Sequence, residues 1–111
     1  MSFTYSDHTI IGTFKGEILS GKEPLPWIMF KIPVAVTLYD RRGERTTLIV
    51  NERVVIQGTE NIKAARSKLK DGCEILAKGQ RVPAFAVMGD EENTRGTVLF
   101  AALFQVSGGR L

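Results

Sequence analysis

Val54-Val55-Ile56-Gln57-Gly58-Thr59-Glu60-Asn61-Ile62-Lys63-Ala64-Ala65-Arg66-Ser67-Lys68-Leu69-Lys70-Asp71-Gly72-Cys73-Glu74-Ile75-Leu76-Ala77-Lys78-Gly79 reads as strand, helix, strand. Gly58 ends a β-branched run. Thr59 is a capping residue type, and Glu60 suits the positive end of a helix. Ile62, Ala65, Arg66 and Leu69 follow helical spacing, with Lys63, Ser67, Lys68 and Lys70 outside that stripe. Gly72 is expected to stop a helix of about three turns. Cys73 to Lys78 then forms a strand that Gly79 closes.

The chain before this stretch is β-rich. Arg45 to Gln57 is a strand whose alternate positions give neither face a uniform character, so a bulge is expected near Asn51-Glu52. Asp40-Arg41-Arg42-Gly43-Glu44 is a hairpin loop with glycine where a positive φ is needed. Trp27 to Tyr39 is the preceding strand, with Pro33 marking an edge or bulge. Ser20 to Pro26 is a loop with two prolines, and Thr9 to Leu19 a first strand bent at Gly12 or Gly16. Residues 1–8 read as a short arm.

After Gly79, Gln80 to Met88 is expected to rise as one arm of a hairpin with a polar tip at Gly89–Gly96. Thr97 to Val106 is the last strand and 107–111 a flexible end. Five strands with one helix between the third and fourth is the OB-fold order, so the expected architecture is an all-β, five-stranded OB-fold barrel. It forms a single domain over 1–111. Phe14, Phe30, Phe100 and Phe104 are assigned to its core.

Composition narrows the function classes. Fifteen Lys+Arg against twelve Asp+Glu leave a net charge of +3, which permits contact with a polyanion. The single cysteine, Cys73, can form no internal disulfide and points to a reducing, cytoplasmic setting. Met1 to Asp7 lacks the basic start and apolar run of a signal peptide. His8, the one histidine, lies in the arm, and Cys73 has no evident activating base. Ser20-Gly21-Lys22 lacks phosphate-loop spacing, and Asp90-Glu91-Glu92 reads as a solvated turn. No catalytic residues, metal ligands or cofactor site emerge, and the chain is read as a binding module, not an enzyme.

Arg53-Val54-Val55-Ile56-Gln57-Gly58, the helix, and Leu69 through Gly72 to Gly79-Gln80 together resemble the bacterial single-stranded DNA-binding protein family. Phe104-Gln105-Val106-Ser107-Gly108-Gly109-Arg110 is similar to that family's final strand and exit, and Ile10-Ile11-Gly12-Thr13 to its opening. A primosomal protein built on the same fold is a related possibility. The resemblance implies single-stranded DNA as partner, bound with little sequence specificity in replication, recombination or repair, and a homo-oligomeric dimer or tetramer. Such binders combine a basic groove with rings on which bases stack. The candidate binding residues are therefore Tyr39, Arg41, Arg42, Arg45, Arg53, Lys78, Arg81, Phe85 and Trp27. Phe85 and Trp27 serve equally as core residues.

Departures from the family point to a second reading. Asn51 and Gln57 stand where aromatics are usual, and the hairpin tip is acidic. The chain ends at Leu111 without the family's long linker and acidic tip, so either it is cut short or it does not recruit partners that way. Asn51, Gln57 and the acidic hairpin tip fit an OB-fold interaction module that has lost strong nucleic-acid binding. The first strand offers an edge for pairing, and the last is unusually apolar.

Overall fold

A computed structural model of the chain describes residues 7–89 and 95–107. Its strands are β1 (Asp7–Thr13), β2 (Ile18–Gly21), β3 (Trp27–Tyr39), β4 (Arg45–Gln57), β5 (Glu74–Pro83) and β6 (Thr97–Ser107). Helix α1 (Thr59–Lys68) joins β4 to β5, and a five-residue helix, α2 (Ala84–Met88), follows β5. The strands form one sheet in the order β1-β5-β6-β4-β3-β2, antiparallel except for a short parallel β4–β6 contact. The all-β OB-fold reading holds, with six strands in place of five and no β1–β3 ladder among the described residues to close the barrel.

The sixth strand comes from the expected bend. The N–H of Glu17 donates to the Lys15 carbonyl across Gly16, whose φ is +58°. This tight turn splits the first strand in two. The sheet nonetheless curls until Gly12 of β1 lies against Ile32 and Pro33 of β3.

The β3–β4 ladder keeps one register from Trp27↔Gln57 to Tyr39↔Arg45, so the bulge expected near Asn51-Glu52 is absent. The mixed pattern has another cause. Near its foot the hairpin is buried on both faces. Ile28, Phe30, Ile32, Val54 and Ile56 face the barrel interior, while Trp27, Met29 and Val55 pack with Ala84, Val87 and Met88 of α2. Residues 45–51 are exposed, because the outer half of the hairpin leaves the body as an arm. Alternation cannot be read through a strand that changes from doubly covered to doubly exposed. Pro33 sits on the edge of β3 that β2 no longer covers, so its missing N–H breaks no ladder bond between described strands.

The interior is ordered by three rings. Phe14 meets Phe30 edge-on at 5.7 Å between centroids, and Phe30 meets Phe104 at 5.8 Å. Ile62, Ala65 and Leu69 of the α1 segment pack on the same core. Phe100 packs on the α2 side instead.

Other boundaries shift for local reasons. Gly58, not Thr59, is the N-cap of α1, and no side chain caps it. The helix ends at Leu69, and Gly72 serves the following turn, closed by the Cys73 N–H on the Lys70 carbonyl, where its φ is +86°. Gly79 does not end its strand; β5 runs through it to Pro83, past a register shift between Lys78 and Gly79. The expected rising arm Gln80–Met88 is the end of β5 followed by α2. Asp7 and His8 belong to β1 rather than to an arm, and Ser107 to β6. Met1–Ser6, Gly108–Leu111 and the acidic tip Asp90-Glu91-Glu92 lie outside the described residues.

Candidate nucleic-acid interface

Side chains alternate across a strand, and the β3–β4 register pairs odd with odd. One face of the hairpin therefore carries the rows Lys31↔Arg53, Pro33↔Asn51, Ala35↔Ile49, Thr37↔Thr47 and Tyr39↔Arg45. Tyr39 is 67 % exposed and lies directly opposite Arg45, so a flat ring and a guanidinium sit side by side at the end of the arm.

The adjoining loop is braced by Asp40. Its carboxylate accepts the N–H of Arg42 at 2.8 Å and of Glu44 at 2.9 Å, and its carbonyl accepts the N–H of Gly43 at 3.0 Å. Gly43 takes a φ of +83°, which L side chains rarely adopt. This fixed turn leaves Arg41 and Arg42 exposed beside Tyr39 and Arg45. Four of the nine candidates thus come together on one end of one hairpin.

The other five divide. Arg53 shares the odd face but is half-buried and already engaged: its guanidinium donates to the carbonyls of Arg95 and Thr97, the latter at 3.2 Å. It clamps the entry to β6 to the foot of the hairpin. Arg81 is set apart on the opposite sheet face, where it pairs with Glu52 at 3.1 Å. Lys78 is exposed on β5, in register with Thr9 and Leu103, away from the hairpin. Phe85 is 60 % exposed on α2, whose buried side is Ala84, Val87 and Met88. Trp27 is a correction: it is 4 % exposed under α2, and its Nε1–H donates to the Glu23 carbonyl at 2.9 Å. No face of that ring is open for a base to stack on. Its fluorescence is accordingly expected to be blue-shifted and almost unresponsive to acrylamide. A red-shifted, readily quenched emission would contradict this burial.

Lys31 and Ile49 were missed by the sequence reading. Lys31 shares the parity of Tyr39 within one strand, a signal that was available. Ile49 is 67 % exposed at the middle of the face, and its aliphatic side chain gave no sign in the sequence of that exposure.

The arm is suited to a polyanion with flat substituents. Arginine forks hold phosphate oxygens, and an exposed tyrosine ring offers a base roughly 1–3 kcal/mol of stacking. A second exposed surface lies across β1, β5 and β6. There Ile11, 59 % exposed, pairs in register with half-buried Leu76, and exposed Leu103 stands opposite Lys78. β1 is also an edge strand. Neither described helix is long and apolar enough to cross a membrane.

The fold has close counterparts among solved structures. The small single-stranded DNA-binding protein from Streptomyces coelicolor superposes with a TM-score of 0.64 at 15 % identity, over 96 % of both chains. The Plasmodium falciparum single-stranded DNA-binding protein, solved in complex with single-stranded DNA, gives 0.67 at 12 % identity, over 97 % of this chain and 99 % of that one. PriB from Ralstonia solanacearum gives 0.63 at 6 % identity, over 95 % of this chain and 100 % of that one. No family model and no curated protein sequence matches the chain. The structural neighbours are thus single-stranded DNA-binding proteins and a primosomal protein, the two groups the sequence resembled, and at these identities the likeness is one of fold.

Proposed function

We propose that this chain binds single-stranded DNA with little sequence specificity, through the odd-numbered face and tip of the β3–β4 hairpin. The observation that carries the reading is Tyr39 facing Arg45 beside the exposed Arg41-Arg42 pair. The binding residues are Tyr39, Arg41, Arg42 and Arg45, with Arg53 positioning the foot of the arm and Phe85 and Lys78 as outlying contacts. Phosphate contacts position the strand and the ring accepts any base, so no sequence is read. The setting is replication, recombination or repair in the cytoplasm, and the chain acts as a one-domain binding module without catalysis.

The test is anisotropy of a fluorescein-labelled dT oligonucleotide, titrated at several salt concentrations. Because Trp27 is buried, intrinsic fluorescence is a poor reporter and the label belongs on the DNA. Affinity is expected to fall steeply with salt as counterions are released. Binding that is absent at low salt, or indifferent to salt, refutes the reading.

A second reading keeps the fold and changes the ligand. Leu38, Leu48, Ile49 and Val50 are exposed on both faces of the arm, more apolar surface than phosphate contact requires. An OB-fold interaction module would use that surface for a protein, and its partner would stay bound after nuclease digestion.

Self-association accompanies either reading. A β1 edge with Ile11 exposed, beside Leu76 and Leu103, favours an isologous pairing of two copies. Light scattering at micromolar concentration is expected to give at least a dimer, and Ile11→Lys to shift it toward monomer. A strict monomer in the unmodified chain overturns this.

A further inference from the structure

β2 stops pairing with β3 at Ile18↔Phe30, and the chain before it turns away at Gly16. The edge of β3 beyond Phe30 is left uncovered by β2, and an open groove lies beside it. Lys15, Glu17, Lys31 and Asn51 stand around it, with Phe30 and Pro33 among its apolar lining. Lys31, Pro33 and Asn51 are odd-numbered positions of β3 and β4, so the groove opens onto the same face as Tyr39 and Arg45. Tyr39 lies eight residue steps beyond Lys31 along β3, a distance of roughly 26 Å.

We infer that this groove is a second nucleotide subsite, in which Lys15 and Lys31 hold the phosphates of a single strand whose other end lies on the hairpin tip. The inference rests on the single-strand reading above and extends it from a tip to a track. Two ammonium groups mark the groove for an anion, and the apolar surface between them offers a floor for the sugar or base. Glu17 is the opposing charge. It lines the same groove, and its negative charge weakens anion binding there. The two subsites span a length in keeping with the roughly 4–16 nucleotides one OB-fold occupies.

The test compares the full chain with Lys15→Ala/Lys31→Ala and with Glu17→Gln, by anisotropy of labelled dT15 across a salt series. Both lysines and Glu17 are exposed, so thermal melts are expected to match the parent. Each phosphate contact to a single strand contributes about 0.7 to the log–log salt slope, so the double variant is expected to flatten it by about 1.4. Affinity at low salt is expected to fall on the order of tenfold or more. Glu17→Gln is expected to tighten binding severalfold, an effect a merely structural role for Glu17 does not produce. Parent chain and double variant binding with equal affinity and slope overturns the subsite while leaving the hairpin reading intact. A parent chain that binds no dT15 overturns both.

Discussion

Gly79→Ala is expected to destabilise the chain by about 3 kcal/mol, the upper end of ordinary overpacking costs. A Cβ at Gly79 would stand 2.0 Å from the Phe100 carbonyl oxygen and 3.0 Å from the Ala101 Cα. Both are backbone atoms of β6, so no side chain can swing aside. The β5–β6 ladder must part where the register shifts, beside the buried Ala77 and Leu99. A loss of that size lowers the melting temperature by about 10–15 °C in a domain of this length. Gly43→Ala is the control. Gly43 takes a φ of +83°, but a Cβ added there would meet nothing within 4 Å, so only the backbone preference is lost, about 1–2 kcal/mol. Thermal or urea unfolding of the two variants separates steric from conformational need. A Gly79→Ala protein as stable as the parent contradicts the close strand approach at the bulge.

Arg41→Ala/Arg42→Ala/Arg45→Ala is expected to leave stability nearly unchanged and to cripple single-strand binding. All three side chains are exposed, and none belongs to either core cluster. Removing three phosphate contacts flattens the salt slope by about 2 and costs on the order of a hundredfold in affinity at low salt. Tyr39→Ala is expected to behave differently. Losing one stacking platform costs roughly 1–3 kcal/mol of binding and leaves the salt slope in place, since a neutral ring releases no counterions. Slope and intercept therefore report separately on charge and ring. A triple variant with the parent's slope assigns binding to another surface.

The legible part of the molecule was the strand–helix–strand stretch from β4 through α1 to β5. Gly58, the α1 stripe of Ile62, Ala65 and Leu69, and the strand around Ile75 and Ala77 are all local patterns, and they stand as read. The Asp40–Glu44 turn was legible for the same reason, since its chemistry lies within five residues. What escaped depended on distant partners. Gly79 read as a strand end, because nothing local reveals that Phe100 of β6 passes over it. Residues 84–88 read as a strand continuation because Ala84, Val87 and Met88 form a helix only against Trp27, Met29 and Val98. The same helix decides Trp27, which no alternation rule could remove from the surface. Within the candidate interface, the Arg41–Arg45 cluster was visible as composition. Lys31 could have been found from its parity with Tyr39 in β3, whereas Lys15 needed the fold that brings the segment before β2 beside β3.

Amide shift mapping of the uniformly labelled chain with dT15 reads directly which surface holds the strand. The largest changes are expected at residues 37–47, with smaller ones at Lys31, Asn51 and Arg53 and almost none along the α1 segment 59–68. Changes concentrated on α1, or on Ile11, Leu76 and Leu103, with the 37–47 amides unmoved, would contradict a hairpin-borne interface.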